Sequence, residues 1–230
     1  MNKVMRLFLF LLFLLTLSYC LYQLAQTSTA ASAVTCARYP QQTLILDAGH
    51  GGEDGGAVSL SGVPESGINL SIVLKVDQLA GLYGVRTKLT RDTDTSIADS
   101  SAKTLREKKR SDLYNRAALV NETEGAVLLS VHQNNHSAKS ASGAQVFFHD
   151  DDESILWAQH TQLLRETLGT DPKREATRIA KKVYLMNHIN CRAILVECGF
   201  LSNPKEDQLL QQEDYQTKLA MVLMSAYLTS

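Results

Sequence analysis

The chain is short of cysteine, carries no marked excess of either charge and contains no internal repeat. Each shortage removes a class of protein. Of its four cysteines, Cys20 lies in an apolar N-terminal stretch, leaving Cys36, Cys191 and Cys198. Three thiols do not make a disulfide framework, even for a protein outside the cytoplasm. Cys191 and Cys198 flank one expected strand, which holds their α-carbons too far apart for a direct bridge; they are read as packed thiols. A formal net charge of −1 gives no electrostatic footprint for nucleic acid, so no nucleic-acid partner is expected. The basic run Lys103, Arg106, Lys108, Lys109, Arg110 lies in a polar segment, 92–111, expected to be a surface excursion, and reads as a solvated helix start or loop. The glycine-rich stretch Gly49–Gly56 lacks the Gly-Lys-Ser/Thr ending of a phosphate-binding loop. Asp54 stands where the dinucleotide fingerprint needs glycine. Glu53 and Asp54 would also repel a phosphate, which argues against a nucleotide.

What is present begins with a leader. Lys3 and Arg6 precede Leu7–Ala25, nineteen residues without a charge and mostly leucine and phenylalanine. A charged start before an apolar core reads as a secretory signal or an N-terminal membrane anchor. Its length just suffices to span a bilayer, with Thr16, Ser18 and Gln23 diluting it. Ala31-Ser32-Ala33 offers a cleavage site, whereas bulky Tyr19 argues against Cys20 as a lipoprotein cysteine. Positive charge at the start places the N-terminus in the cytoplasm and the following domain outside. The expected organisation is residues 1–33 as signal or anchor plus a short Ser/Thr/Ala linker. One domain of about 190 residues then runs over 40–230, long enough for a sizeable core.

Within that domain, strand signals fall at 43–47, 85–90, 126–131, 144–148 and 192–197, with a weaker one near 182–186. Helical spacing of apolar residues covers Ile68 to Ala80, Leu113 to Val120, Ile155 to Leu168 and Tyr215 to Leu228. Strands alternating with helices predict an α/β fold: a single three-layer domain with a mainly parallel, about six-stranded sheet flanked by helices.

Three apolar runs end on chemistry-bearing residues. Leu44-Ile45-Leu46-Asp47-Ala48-Gly49 leads to His50, Val127–Val131 to His132, and Ala193–Val196 to Glu197. Open α/β sheets bind ligands outside the carboxyl ends of their strands. A lone histidine is more often a satisfied polar group than a ligand, but two at equivalent strand ends suggest a metal. Catalytic zinc takes three protein ligands of this kind plus a water. The third ligand should then be a nearby carboxylate, and spacing alone leaves Glu53, Asp54 and Glu65 open. Asp47 reads as structural, binding loop amides or orienting His50. Glu197 suits general acid/base work, and His136 reads as a solvated loop residue.

The ordered motifs Leu46-Asp47-Ala48-Gly49-His50-Gly51-Gly52, Glu65, Ser130-Val131-His132-Gln133-Asn134 and Val196-Glu197-Cys198-Gly199-Phe200-Leu201-Ser202-Asn203 resemble the zinc-dependent N-acetylmuramoyl-L-alanine amidases. That likeness spans about Thr43 to the C-terminus. It implies hydrolysis of the amide between the muramic acid lactyl group and the first L-alanine of the peptidoglycan stem. It also implies Zn2+ held by His50, Glu65 and His132, Glu197 as the catalytic glutamate and Asn134 as a substrate-binding, site-shaping group. Two departures stand outside those roles: Ser66 where the family usually has lysine, and Asn135 where it usually has alanine. Lys108–Leu113, Ser142–Phe147 and the lack of a wall-binding module are similar to the germination-specific, spore-cortex amidases. In those enzymes stem removal lets muramic δ-lactam form. The partners so implied are peptidoglycan and, if the leader stays attached, the membrane. An activating protein partner is compatible with the sequence but has no signature in it. Two rivals share much of this pattern: a zinc peptidase on stem peptides, and a non-catalytic wall-binding protein on the same fold.

Overall fold

The computed structural model describes residues 42–149, 151–166, 168 and 174–230, and, nearer the N-terminus, residues 5, 12–20, 22 and 23. The chain divides into two units, 1–40 and 41–230. In the first, residues 12–20, 22 and 23 are helical and exposed. The rest of the leader, the linker, the Ala31-Ser32-Ala33 site and Cys36 lie outside the described residues. Among the described residues, no helix is long and apolar enough to cross a membrane.

The second unit is built on six strands: β1 (Thr43–Ala48), β2 (Thr87–Leu89), β3 (Ala126–Asn134), β4 (Gln145–Phe148), β5 (Thr177–Arg178) and β6 (Ala193–Phe200). They lie in the order β2-β1-β3-β6-β4-β5. All neighbours run parallel except β4 against β6. Central β1 is buried at all six positions, which is why it reads as a continuous apolar run and not as an alternating one. Its side chains still alternate in direction. Leu44 and Leu46 enter one core with α1 (Glu65–Leu82), α3 (Asp152–Glu166) and α6 (Glu213–Thr229). Ile45 enters the other with α2 (Leu105–Asn121) and the short α4 (Tyr184–Asn187). Each fully buried Leu or Ile contributes about 1.5–3 kcal/mol, so a helix layer on both faces accounts for the fold's cohesion. The three-layer α/β expectation is met.

Three local expectations are corrected. The weak strand near 182–186 is the single helical turn α4, closed by Asn187 Nδ2 donating to Ala180 O and Val183 O. The sixth strand is Thr177–Arg178, whose two exposed residues carry no strand pattern and pair with Phe147 and Phe148 at the sheet edge. The 92–111 excursion ends early, because α2 begins at Leu105. Thr104 accepts from the Glu107 N–H while the Glu107 carboxylate accepts from the Thr104 N–H, a reciprocal capping box. A further helix, α5 (Pro204–Leu210), starts at an Asn203 cap followed by proline, a start signal that apolar periodicity did not register.

Candidate active site

β1 leads through α1 to β2 on one side, yet its other neighbour is β3. The order of strands in the sheet therefore reverses between β1 and β3, which run parallel, and a doubly wound sheet opens its ligand crevice there. His50 follows β1, and His132 on β3 is in register with Glu197 on β6, so the central strands deliver all three to one edge. Glu65 opens α1 and is buried, its carboxylate aimed back into the same crevice.

His132 Nδ1 lies 3.1 Å from Glu65 Oε1, and His50 Nε2 lies 3.4 Å from Glu65 Oε2. The imidazoles stand edge to face with centroids 5.0 Å apart. One donor atom from each of His50, Glu65 and His132 falls within 4.8 Å of the others, close enough to hold a metal ion. Two imidazole nitrogens and a carboxylate oxygen match the donor set of a catalytic divalent-metal site, so the residues fit such an ion. Of the carboxylates that spacing left open, Glu53 is exposed and paired with Lys108, while Asp54 Oδ2 meets the far nitrogen of His50, Nδ1, at 3.0 Å. Glu65 alone of the three stands between both imidazoles.

The backbone allows this crowding only where side chains are missing. A Cβ on Gly49 would lie 2.2 Å from His132 Cε1, and one on Gly56 (φ +71°) would lie 2.6 Å from Glu65 Oε2. His50 itself has φ 63°, a left-handed conformation that costs a non-glycine residue roughly 1–3 kcal/mol and persists only when its surroundings enforce it. Two buried arginines do so. Arg116 donates to Asp47, Ala48 O and His50 O, and Arg91 to Ala48 O, Gly49 O and Ser66 O. Asn69 adds a bond to Gly49 O.

Asp47 therefore does not orient the His50 ring. Its carboxylate accepts from Thr90, Ser130 and Arg116. Burial raises the Asp47 carboxyl, but Arg116, then His132 and Ser130, bring it below its ordinary value. Burial opposes the Arg116 charge too, and Asp47 with Asp112 outweighs it. Removing either partner of such a buried pair leaves the other uncompensated at a cost of about 3–5 kcal/mol.

Glu65 is held by the Ala57 and Gln133 N–H groups and by Asn69 Nδ2. Burial pushes its carboxyl up, yet His132 and then His50 draw it down to about 2. Burial likewise pushes the His132 imidazole down, and Glu65, ahead of Glu197 and Asp47, raises it to about 9. Glu197 moves the other way: burial raises its carboxyl to about 7, with His132 lowering and Glu65 raising it. Its Oε2 is buried with no hydrogen-bond partner. A buried, unsatisfied carboxylate oxygen beside a metal-type donor cluster is suited to moving protons.

Asn134 lies past a register irregularity of β3, its Oδ1 accepting from the Asn135 N–H and its main-chain oxygen from Leu201. His136 is exposed and bonds Ala138. The sequence reading missed Asn69, Gln133, Arg91 and Arg116. Asn69 had a signal, lying one helical turn after Glu65 and so on the same face; the arginines gave no sign of burial, since the carbonyl oxygens of 48–50 that draw them inward meet them only in the folded chain.

The model of the N-acetylmuramoyl-L-alanine amidase family matches residues 44–226. The germination-specific N-acetylmuramoyl-L-alanine amidase of Bacillus subtilis is 34% identical over 180 residues, covering 77% of this chain and 74% of that protein. Among solved structures, the CwlD amidase of Clostridioides difficile in complex with the GerS lipoprotein superposes with a TM-score of 0.77 at 34% identity, covering 81% of this chain and 96% of that one. An N-acetylmuramoyl-L-alanine amidase of Clostridium difficile 630 gives a TM-score of 0.69 at 28% identity, over 82% of this chain and 95% of that one. With a family model that takes in all of the sheet but its first residue and all four candidate residues, this chain belongs to the N-acetylmuramoyl-L-alanine amidase family.

Proposed function

We propose that this amidase cleaves the lactyl–L-alanine amide of peptidoglycan with Zn2+ held by His50, Glu65 and His132, and with Glu197 as its acid–base group. The observation that carries the assignment is the unpartnered, buried Glu197 Oε2 in register with His132 beside the three donors. Bound zinc supplies Lewis-acid chemistry, polarising a carbonyl oxygen and acidifying water. Glu197 accepts a proton at Oε2 as water attacks the lactyl carbonyl and returns it to the leaving alanine nitrogen, without which the amine would not depart. In the metal-free protein burial raises this carboxyl to about 7, the direction that suits a group which must both take up and return a proton near neutral pH. Asn134, at the rim of the same edge, is proposed to shape the substrate site.

Metal binding should carry a proton signature. The ion takes a neutral imidazole, whereas Glu65 keeps His132 protonated up to about 9. Zinc binding near pH 7.5 is therefore expected to release about one proton, and affinity to rise about tenfold per pH unit up to that value. Titration calorimetry in buffers of different ionisation enthalpy reads this directly, and a proton count near zero would contradict it. The sign for metal-free stability follows from the same pair. The Glu65 contribution is present above its ordinary 4.5 and lost as pH falls to about 2. The His132 contribution is present below its ordinary 6.5 and lost as pH rises through about 9.

Residues 1–33 are proposed to export or anchor the domain, on the charge and apolar pattern of Lys3, Arg6 and Leu7–Ala25. This places the domain where peptidoglycan is. Likeness to the germination-specific relative supports a role in spore cortex. Deleting the gene in a spore-forming host is then expected to leave vegetative growth normal and yield spores without muramic δ-lactam that fail to complete germination. Normal lactam content would contradict the cortex role. The lipoprotein complex formed by the structural relative supports a protein partner for this chain.

A further inference from the structure

The basic run on α2 is not merely a solvated face. Lys108 pairs with Glu53 and Lys109 Nζ lies 2.7 Å from Asp54 Oδ1, so two successive lysines tie α2 to the glycine loop. Asp54 uses its second oxygen on His50: Oδ2 lies 3.0 Å from Nδ1, while His50 Nε2 faces Glu65. We infer that Lys109, acting through Asp54, is a positioning residue for His50: the chain Lys109–Asp54–His50 fixes the imidazole with its proton on Nδ1 and its Nε2 lone pair toward the metal position beside Glu65. The inference rests on the proposed metal role of His50.

Neutral imidazole has two tautomers, and the hydrogen bond made by one nitrogen decides which lone pair the other presents. A carboxylate on the far nitrogen is the usual device for a metal-binding histidine. A freely turning Asp54 side chain would keep an oxygen on the ring only part of the time. Lys109 and the Gly56 N–H, at 3.3 Å, both engage Oδ1, which leaves Oδ2 for the ring. The Asp54 backbone is fixed as well, through a reciprocal pair of hydrogen bonds with Gly51 at 2.9 and 3.3 Å. Lys109 comes from a separate element whose start is locked by the Thr104–Glu107 capping box, so the cation is presented from a rigid base. A half-exposed ion pair contributes little to stability. Its effect should therefore appear in the ring and the metal affinity, not in thermal unfolding.

The test uses the full-length protein and its Lys109→Met, Lys109→Arg, Lys108→Met and Asp54→Asn variants. Three quantities are measured: zinc affinity by chelator competition, the tautomer of His50 in metal-free protein from long-range nitrogen–proton NMR at mildly alkaline pH, and Tm. Asp54→Asn is expected to weaken zinc binding on the order of 10–100-fold, the scale for losing an outer-sphere carboxylate. Lys109→Met should weaken it on the order of several-fold and mix the His50 tautomers, with Tm nearly unchanged, and Lys109→Arg should restore both readouts. Lys108→Met, one residue away and paired with exposed Glu53, should change neither. Wild-type affinity and a pure Nδ1–H tautomer in Lys109→Met would overturn the inference. Failure of the wild-type protein to bind zinc would instead overturn the proposed metal site, and the metal-free NMR arm would still decide whether Lys109 orients the ring.

Discussion

Glu197→Gln is expected to keep its metal and lose roughly 10²–10⁴ in kcat, the usual scale for a positioned acid–base group. The amide has nearly the shape of the carboxylate but takes up no proton, so KM and zinc content should stay near wild type. The variant also removes the charge that supports the His132 imidazole, though Glu65 does so more strongly, so metal affinity should move little. Near-normal turnover would mean that another group moves the proton. Among the described histidines, His136 lies nearest in sequence to the second strand-end histidine, but its Nδ1 is engaged with the Ala138 N–H.

Glu65→Ala is expected to abolish both metal binding and activity, because three protein ligands leave no spare one, whereas Glu53→Ala should retain both. The contrast is sharp because spacing alone did not separate these carboxylates. Metal analysis by mass spectrometry with an activity assay checks it, and full metal in Glu65→Ala would refute the ligand assignment. Glu65 is also a structural tie, since its carboxylate satisfies the Ala57 and Gln133 N–H groups and the Asn69 amide. Leaving buried donors unsatisfied costs about 1–3 kcal/mol each, so the alanine variant should unfold at lower temperature. Glu65→Gln, which retains an acceptor oxygen, separates loss of ligand from loss of fold.

Much of this molecule was legible in its sequence, for a physical reason. Strands buried on both faces are apolar along most of their length, so β1, β3 and β6 announced themselves, and the polar residues that end them stood out. The edge did not. Thr177 and Arg178 are exposed and become a strand only because β4 offers them an open backbone, which no local pattern records. The start of α2 was written at Thr104 and Glu107 but submerged in a polar segment that lacks apolar periodicity. The choice of Glu65 came from family resemblance. Its physical basis, that the first turn of α1 aims back at the crevice between β1 and β3, exists only in three dimensions. Arg91 and Arg116 were the least legible. Surface-like in composition, they are buried because the turn at Ala48–His50 directs its carbonyl oxygens inward.

The most direct measurement is product analysis after digesting purified cortex and vegetative peptidoglycan with the full-length protein and zinc. The account predicts released stem peptides with a free N-terminal L-alanine, glycan strands of unchanged length, and no release by Glu197→Gln. Peptides cut within the stem would show a zinc peptidase instead. Binding to the wall without release of any peptide would show a non-catalytic protein, and either result would contradict the account.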